Sequence, residues 1–236
     1  MSSQADYDIR CEWGLLGVRA LAPISDVVVI VDVLSFSTAV DIAVANGAAV
    51  LPYPWQDASA AEFAADKGVM LASTREARGE YSLSPASLLS IPRDAALILP
   101  SPNGGRLSLQ AGRVTVVTAC LRNCEAVAAR LRDYGNRIAV IPAGEQWSNA
   151  SLRPALEDLI GAGAVVARLP GSLSPEAEMA VAVFERFRGN LPDVMARCTS
   201  GRELVERGFA RDVELAAAYG ASSAVPTLRQ DRFVAV

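Results

Sequence analysis

The stretch Val27-Val28-Val29-Ile30-Val31-Asp32-Val33-Leu34-Ser35-Phe36-Ser37-Thr38-Ala39-Val40 decides the fold. Five consecutive β-branched apolar residues read as a strand buried on both faces, the kind found inside a parallel sheet. The run ends in a carboxylate, Asp32, then a hydroxyl-rich turn, then a segment of helical composition. A carboxylate at the carboxyl end of a buried strand, beside a helix N-terminus, lies where open α/β sheets hold their ligands.

The same strand, polar turn, helix rhythm continues outward from that stretch. Ala48 to Tyr53 is a second strand, and Asp57 opens an Ala-rich helix that Gly68 closes. Short strands follow at Val69 to Ala72, Ala95 to Leu99, Val114 to Thr118 and Ile138 to Ile141. Helices are expected from Glu125, from Arg153 and over Glu176 to Phe187. Ser200 with Glu203 reads as a capping box, and another helix spans Asp212 to Tyr219. The chain closes with an extended stretch from Ala224 and a strand over Arg232 to Val236. The alternation predicts an α/β fold, three layers α/β/α around a largely parallel sheet. The chain is expected to form a single unit over residues 1–236, or two α/β lobes parting near 140–150.

Bulk properties exclude more than they assign. The 236 residues are 51% hydrophobic and 20% charged, with a formal net charge of −4. That balance gives no basic field for nucleic acid. No apolar run reaches the roughly 20 residues that cross a bilayer, and Met1 to Asp8 lacks the pattern of a signal peptide. A cytoplasmic protein without nucleic-acid or membrane partners is expected. Cys11, Cys120, Cys124 and Cys198 read as buried thiols rather than a disulfide framework. There is no histidine. This removes Ser-His-Asp and Cys-His chemistry and His-ligated zinc, and it leaves oxygen ligands, which suit Mg²⁺.

Four strands run into polar loops carrying Asp32, Asn103, Asn123 and Glu145, and parallel neighbours would bring these loops to one sheet edge. Asp32 is a metal ligand, a nucleophile or a helix cap. Ser35, Ser37 and Thr38 aim donors at an anion or cap the helix. Asn103-Gly104-Gly105-Arg106 joins a turn of high backbone freedom to a guanidinium suited to phosphate or carboxylate. Arg122-Asn123 precedes a helix in the same way. Glu157 and Asp158 are adjacent carboxylates on an apolar helix. Residues 73–92 form a long polar loop that contains Arg75, Arg78 and Glu80. No GxxxxGK[ST] or strand-borne GxGxxG occurs, and Leu34 stands where an Asp-x-Asp phosphatase pair needs its second Asp.

Taken together, these residues resemble the 2-phosphosulfolactate phosphatase (ComB-like) family. Asp32-Val33-Leu34-Ser35-Phe36-Ser37-Thr38 is similar to its Asp-Val-Leu-Arg-x-Ser-Thr motif, and Ala45-Asn46-Gly47-Ala48 to the helix end that follows. Leu83-Ser84-Pro85, Ser101 to Arg106, Leu121 to Ala128, Ala143-Gly144, Leu156-Glu157-Asp158, Ala162-Gly163 and Ser200 to Phe209 continue the series in order. Ser35 stands where the family carries Arg; Arg75, Arg78 or Arg122 could bring that charge from another loop.

The resemblance implies a Mg²⁺-dependent hydrolase of a small anionic phosphomonoester, 2-phosphosulfolactate or a related phosphorylated hydroxy acid. Asp32, Asn103 and Arg106 are then the catalytic candidates. Ser35, Ser37, Thr38, Arg78, Gly104, Arg122 and Asn123 are the substrate-binding candidates, and Asp32, Glu145, Glu157 and Asp158 those for the metal. A homodimer fits the same reading. The competing expectations are a small-anion-binding relative without catalysis and a structural subunit.

Overall fold

The computed structural model describes residues 4–55, 57–77 and 79–236. The strands are β1 (Ile9–Cys11), β2 (Val27–Val31), β3 (Ala49–Tyr53), β4 (Met70–Leu71), β5 (Ala96–Pro100), β6 (Thr115–Ala119), β7 (Ile138–Pro142), β8 (Glu145–Gln146), β9 (Leu152–Arg153), β10 (Pro226–Arg229) and β11 (Arg232–Ala235). The helices are α1 (Gly14–Leu21), α2 (Phe36–Ala45), α3 (Ala58–Lys67), α4 (Gly104–Gln110), α5 (Cys124–Leu131), α6 (Leu156–Val166), α7 (Pro175–Phe187), α8 (Leu191–Arg197), α9 (Thr199–Glu206) and α10 (Ala210–Ala216).

The central sheet has the order β1-β7-β2-β6-β10-β11-β3-β5-β4. It consists of two parallel blocks, β1-β7-β2-β6 and β3-β5-β4, joined by the antiparallel hairpin β10–β11. The hairpin is tied to the blocks by the pairs Thr227–Val117 and Phe233–Val50. The β8–β9 ribbon stands apart.

β2 shows why the fold has three layers. Its side chains alternate between two cores: Val27, Val29 and Val31 join one, and Val28 and Ile30 the other. A strand with period-two side chains that is apolar on both faces requires a cover on each. α5 to α10 supply the first cover, and α1, α2 and α4 the second. A smaller cluster under α3 joins Ala64 to Leu51 and Ile98. The expected α/β/α arrangement with a largely parallel sheet is therefore present.

Asp57 caps α3, its carboxylate accepting from Ser59 N, and Gly68 ends it in the left-handed conformation. At α9 the capping box is not formed. Cys198 is the N-cap and its Sγ accepts from Gly201 N, while Ser200 lies inside the helix. No element was expected before Val27, yet β1 forms an edge of the sheet beside β7. Arg10 hides that strand in the sequence. Its guanidinium is buried and satisfied in part by Tyr7 O at 2.9 Å and Ile24 O at 2.8 Å. All four cysteines are buried, as expected, and burial pushes the Cys11 and Cys198 thiols up to about 12. Among the described residues no helix is long and apolar enough to cross a membrane.

Candidate active site

Asp32 leaves β2 directly before α2. Its Oδ1 accepts from the N–H of Phe36, the first residue of α2, at 3.2 Å, while the N-cap position itself is Ser35. Its Oδ2 reaches across the fold to accept from Gly104 N, at the start of α4, at 2.8 Å. The local and the long-range contact thus use different oxygens of one carboxylate. Gly104 is needed for this approach, since a Cβ there would stand 2.5 Å from the Phe36 ring and 2.8 Å from Asp32 Oδ2. Asn103, the residue before it, donates from Nδ2 to Glu145 Oε2 at 2.8 Å. The loops after β2, β5 and β7 therefore meet, as the sheet-edge argument predicted for Asp32, Asn103 and Glu145.

These residues line a cavity of about 280 Å³ together with Ser35, Arg75 and Arg207. Arg75 comes from the long polar loop, and its Nη2 donates to Ser35 Oγ at 2.6 Å and to Leu83 O at 3.2 Å. Asp212 on α10 stands 3.5 Å from Arg75 Nε. Asp212 Oδ1 in turn accepts from Ser84 Oγ and Ala86 N, tying α10 to the loop that carries Arg75. Arg207 pairs with Glu76. The Phe209 ring lies 5.7 Å from both guanidinium carbons. Three carboxylates, Asp32, Glu76 and Glu145, and two guanidiniums thus share one small cavity, with Glu76 paired to Arg207.

The carboxylates are poorly compensated. Burial pushes Asp32 up to about 6; the Glu157 charge adds to this, and the N–H groups of Gly104 and Phe36 oppose it. Burial and then the Asp32 charge push Glu145 up to about 7, against the hydrogen bond from Asn103. Asp158 is also raised by burial, then by Asp32 and Glu157. Its oxygens accept from Val33 N at 2.7 Å and Gly144 N at 2.9 Å, so Asp158 clamps two strand-end loops together. Glu157 is buried in the first turn of α6, close enough for its charge to act on Asp32, Glu145 and Cys198. Among the described residues, no three Asp, Glu, Cys or His side chains are grouped as ligands of a single ion.

Several candidates are placed elsewhere. Ser37 Oγ shares a 2.6 Å bond with Thr118 Oγ1 and accepts from Asp32 N, and Thr38 Oγ1 donates to Val33 O. Both hydroxyls fix the backbone around Asp32 and do not line the cavity. Arg122 is drawn to the buried Asp41, with Nε 2.8 Å from Oδ2, and Asn123 bonds Cys120 N and Ala224 O. The fourth strand-end loop therefore braces the C-terminal segment and stays outside the cavity. The reason is Asp41, a buried carboxylate on α2 that needs a cation. Arg106 faces a separate cleft, its guanidinium 5.4 Å from the Trp55 ring. Arg78 lies outside the described residues. Arg207 was not singled out by the sequence reading, because an arginine in an amphipathic helix end reads as surface charge.

Residues 19–231 match the family model for 2-phosphosulpholactate phosphatase. The chain belongs to this family. The 2-phosphosulfolactate phosphatase of Methanothermobacter thermautotrophicus is 28% identical over 211 residues, 88% of this chain and 89% of that protein. A protein of Gloeobacter violaceus named "Probable 2-phosphosulfolactate phosphatase" is 31% identical over 85% of this chain and 87% of its own length. One of the same name from Pseudothermotoga lettingae is 26% identical, over 88% and 92%. As a member of a phosphatase family, the chain is an enzyme of the hydrolase class.

Proposed function

We propose that the chain is a Mg²⁺-dependent phosphatase of a small anionic phosphomonoester, 2-phosphosulfolactate or a related phosphorylated 2-hydroxy acid. The observation that carries this reading is the shared cavity, in which Asp32 and Glu145 face Arg75 and Arg207. Magnesium is commonly held by one or two carboxylates, with water and substrate phosphate completing its shell. Two raised, oxygen-only carboxylates fit that demand, and Asp32 and Glu145 are the residues that would hold the ion. Glu157 adds negative potential from behind. Bound there, the ion would neutralise phosphoryl oxygens and acidify a water molecule.

The chain's own groups do the remaining work. Arg75 and Arg207 take phosphate oxygens, with the Ser35 hydroxyl beside Arg75. Asn103 orients Glu145, and Ser37 and Thr38 keep the Asp32 loop in place. Arg106 takes the distal acid group of the substrate. Water oxygen joins phosphorus, the ester P–O bond breaks and a proton passes to the departing alcohol. Positioning and charge stabilisation supply most of what such a transfer needs, which suits a site without histidine. The non-catalytic reading was motivated by Ser35. The guanidinium that Arg75 brings to that hydroxyl supports the catalytic one.

Phosphate release from 2-phosphosulfolactate and 2-phospholactate is expected with Mg²⁺ and not with a chelator. Asp32→Asn should lower kcat roughly a hundredfold or more, with circular dichroism unchanged. Full activity in that variant would remove Asp32 from the site.

A further inference from the structure

A second and larger cleft, about 590 Å³, adjoins the phosphate cavity and has Pro102, Asn103 and Glu145 in common with it. The shared wall is the 2.8 Å hydrogen bond between Asn103 and Glu145. Beyond it the character changes. Trp13, Leu15, Leu16, Leu107 and Leu152 line the cleft, with Arg106 and, at Glu12, a carboxylate among them. The volume is that of a small-molecule site, mostly apolar with few polar anchors. Leu16 is 76% exposed and Leu152 41% exposed at its rim, so apolar surface is left facing the opening. Arg106 makes no ion pair among the described residues.

We infer that this cleft receives the alcohol half of the substrate, so that the preferred phosphomonoester is that of a 2-hydroxy acid carrying an apolar side chain. The inference rests on the phosphatase reading above and narrows its substrate. A phosphate held by Arg75 and Arg207 leaves its ester oxygen facing the Asn103–Glu145 wall. The carbon bearing that oxygen enters the cleft once the substrate takes the place of the Asn103–Glu145 hydrogen bond, and Arg106 meets the carboxylate. What remains of the molecule lies against tryptophan and leucine. A second strong anion such as a sulfonate would lose hydration there with no further cation to receive it. A phenyl or branched alkyl group would bury apolar surface instead.

The test compares phosphate release from 2-phospholactate, 2-phospho-3-phenyllactate and 2-phosphosulfolactate under one Mg²⁺ concentration. The phenyl compound is expected to have a kcat/KM at least about tenfold above the other two, from the apolar area it buries. Leu16→Glu, at a position too exposed to endanger folding, should lower the phenyl-to-methyl ratio about tenfold, and Leu152→Glu should act likewise. Equal or reversed preference in the wild-type chain would overturn the cleft assignment while leaving the phosphatase reading intact. So would a Leu16→Glu variant that changes the oligomeric state on size exclusion with its substrate ratio unaltered, since the rim would then be a subunit contact. No release from any of the three would overturn the phosphatase reading and this inference together.

Discussion

Asp32 and Glu145 are the residues whose chemistry sets the behaviour of the site. Each is an acid whose folded pKa, about 6 and about 7, lies above the ordinary values of 3.8 and 4.5. Such a group stabilises the fold while protonated. Its contribution is complete below the ordinary value and is lost as pH rises through the folded value. Without divalent cation, the melting temperature should therefore fall between about pH 4 and pH 7. For Asp32 alone the change is of order 3 kcal/mol. Mg²⁺ should raise the melting temperature above about pH 7 and do little at about pH 4, where the carboxylates are protonated. Thermal melts with chelator and with Mg²⁺ across that range check both statements; a melting temperature that rises with pH in chelator contradicts them. Arg75 gives the second expectation at this scale. Arg75→Lys keeps a charge but cannot reach Ser35 and the Asp212 side at once. KM should rise about tenfold, the order of one lost charge-assisted hydrogen bond, with the fold retained.

At the scale of elements, the site depends on how closely two helix starts approach. The start of α4 sits on Asp32 because position 104 has no Cβ. Gly104→Ala should displace either Phe36 or Asp32, and we expect kcat to drop while far-ultraviolet circular dichroism stays the same. A variant as active as the parent would show that the Asp32–Gly104 contact is dispensable. Arg122 predicts the opposite pattern. Removing it leaves Asp41 buried without its cation, with Ser222 as its remaining hydrogen-bond partner among the described residues. Arg122→Ala should cost about 3–5 kcal/mol of stability, with KM unchanged in the folded fraction. Denaturant unfolding together with steady-state kinetics separates the two effects. The sequence presents Arg106 and Arg122 alike, as arginines of polar strand-end turns, although Arg106 lies in the first turn of α4 and Arg122 before α5. It could not show that Asp41, eighty-one positions from Arg122, would claim one of them.

For the whole molecule, the C-terminal hairpin is the join between two parallel blocks. Phe233 is fully buried, pairs with Val50 of β3, and stands edge-on to Phe36 at 6.1 Å. The last strand therefore supports the start of α2, and through it the loop that presents Asp32. Phe233→Ala should cost about 3–5 kcal/mol. It should also lower activity under conditions where the protein remains folded, unlike an equally destabilising change far from α2. Gly135→Ala supplies that comparison, because a methyl group there would collide with the Asp26 side chain in the turn before β7, at the opposite end of the strands from Asp32. Equal loss of activity in both variants at matched stability would show that the hairpin contributes stability alone.

The sequence by itself determined the layers. A strand apolar on both faces must be covered twice, and the local period and turn residues place β2, β3 and α3 within a residue, whereas α2 begins at Phe36 inside the expected hydroxyl turn and the helix expected from Arg153 begins at Leu156. It also determined that Asp32, Asn103 and Glu145 end strands of one sheet, and that no histidine takes part. Only the tertiary structure decided which charges face the cavity and which are spent on the fold. Arg75 and Arg207 were chosen over Arg122 by contacts with Ser35, Glu76, Asp41 and Asp212, spanning up to about 140 positions. Asp158 went to two backbone N–H groups and left Glu145 to face the cavity. Hydrophobic period is a local property that a short window reveals. The pairing of buried charges is settled by distance in space, which no window contains.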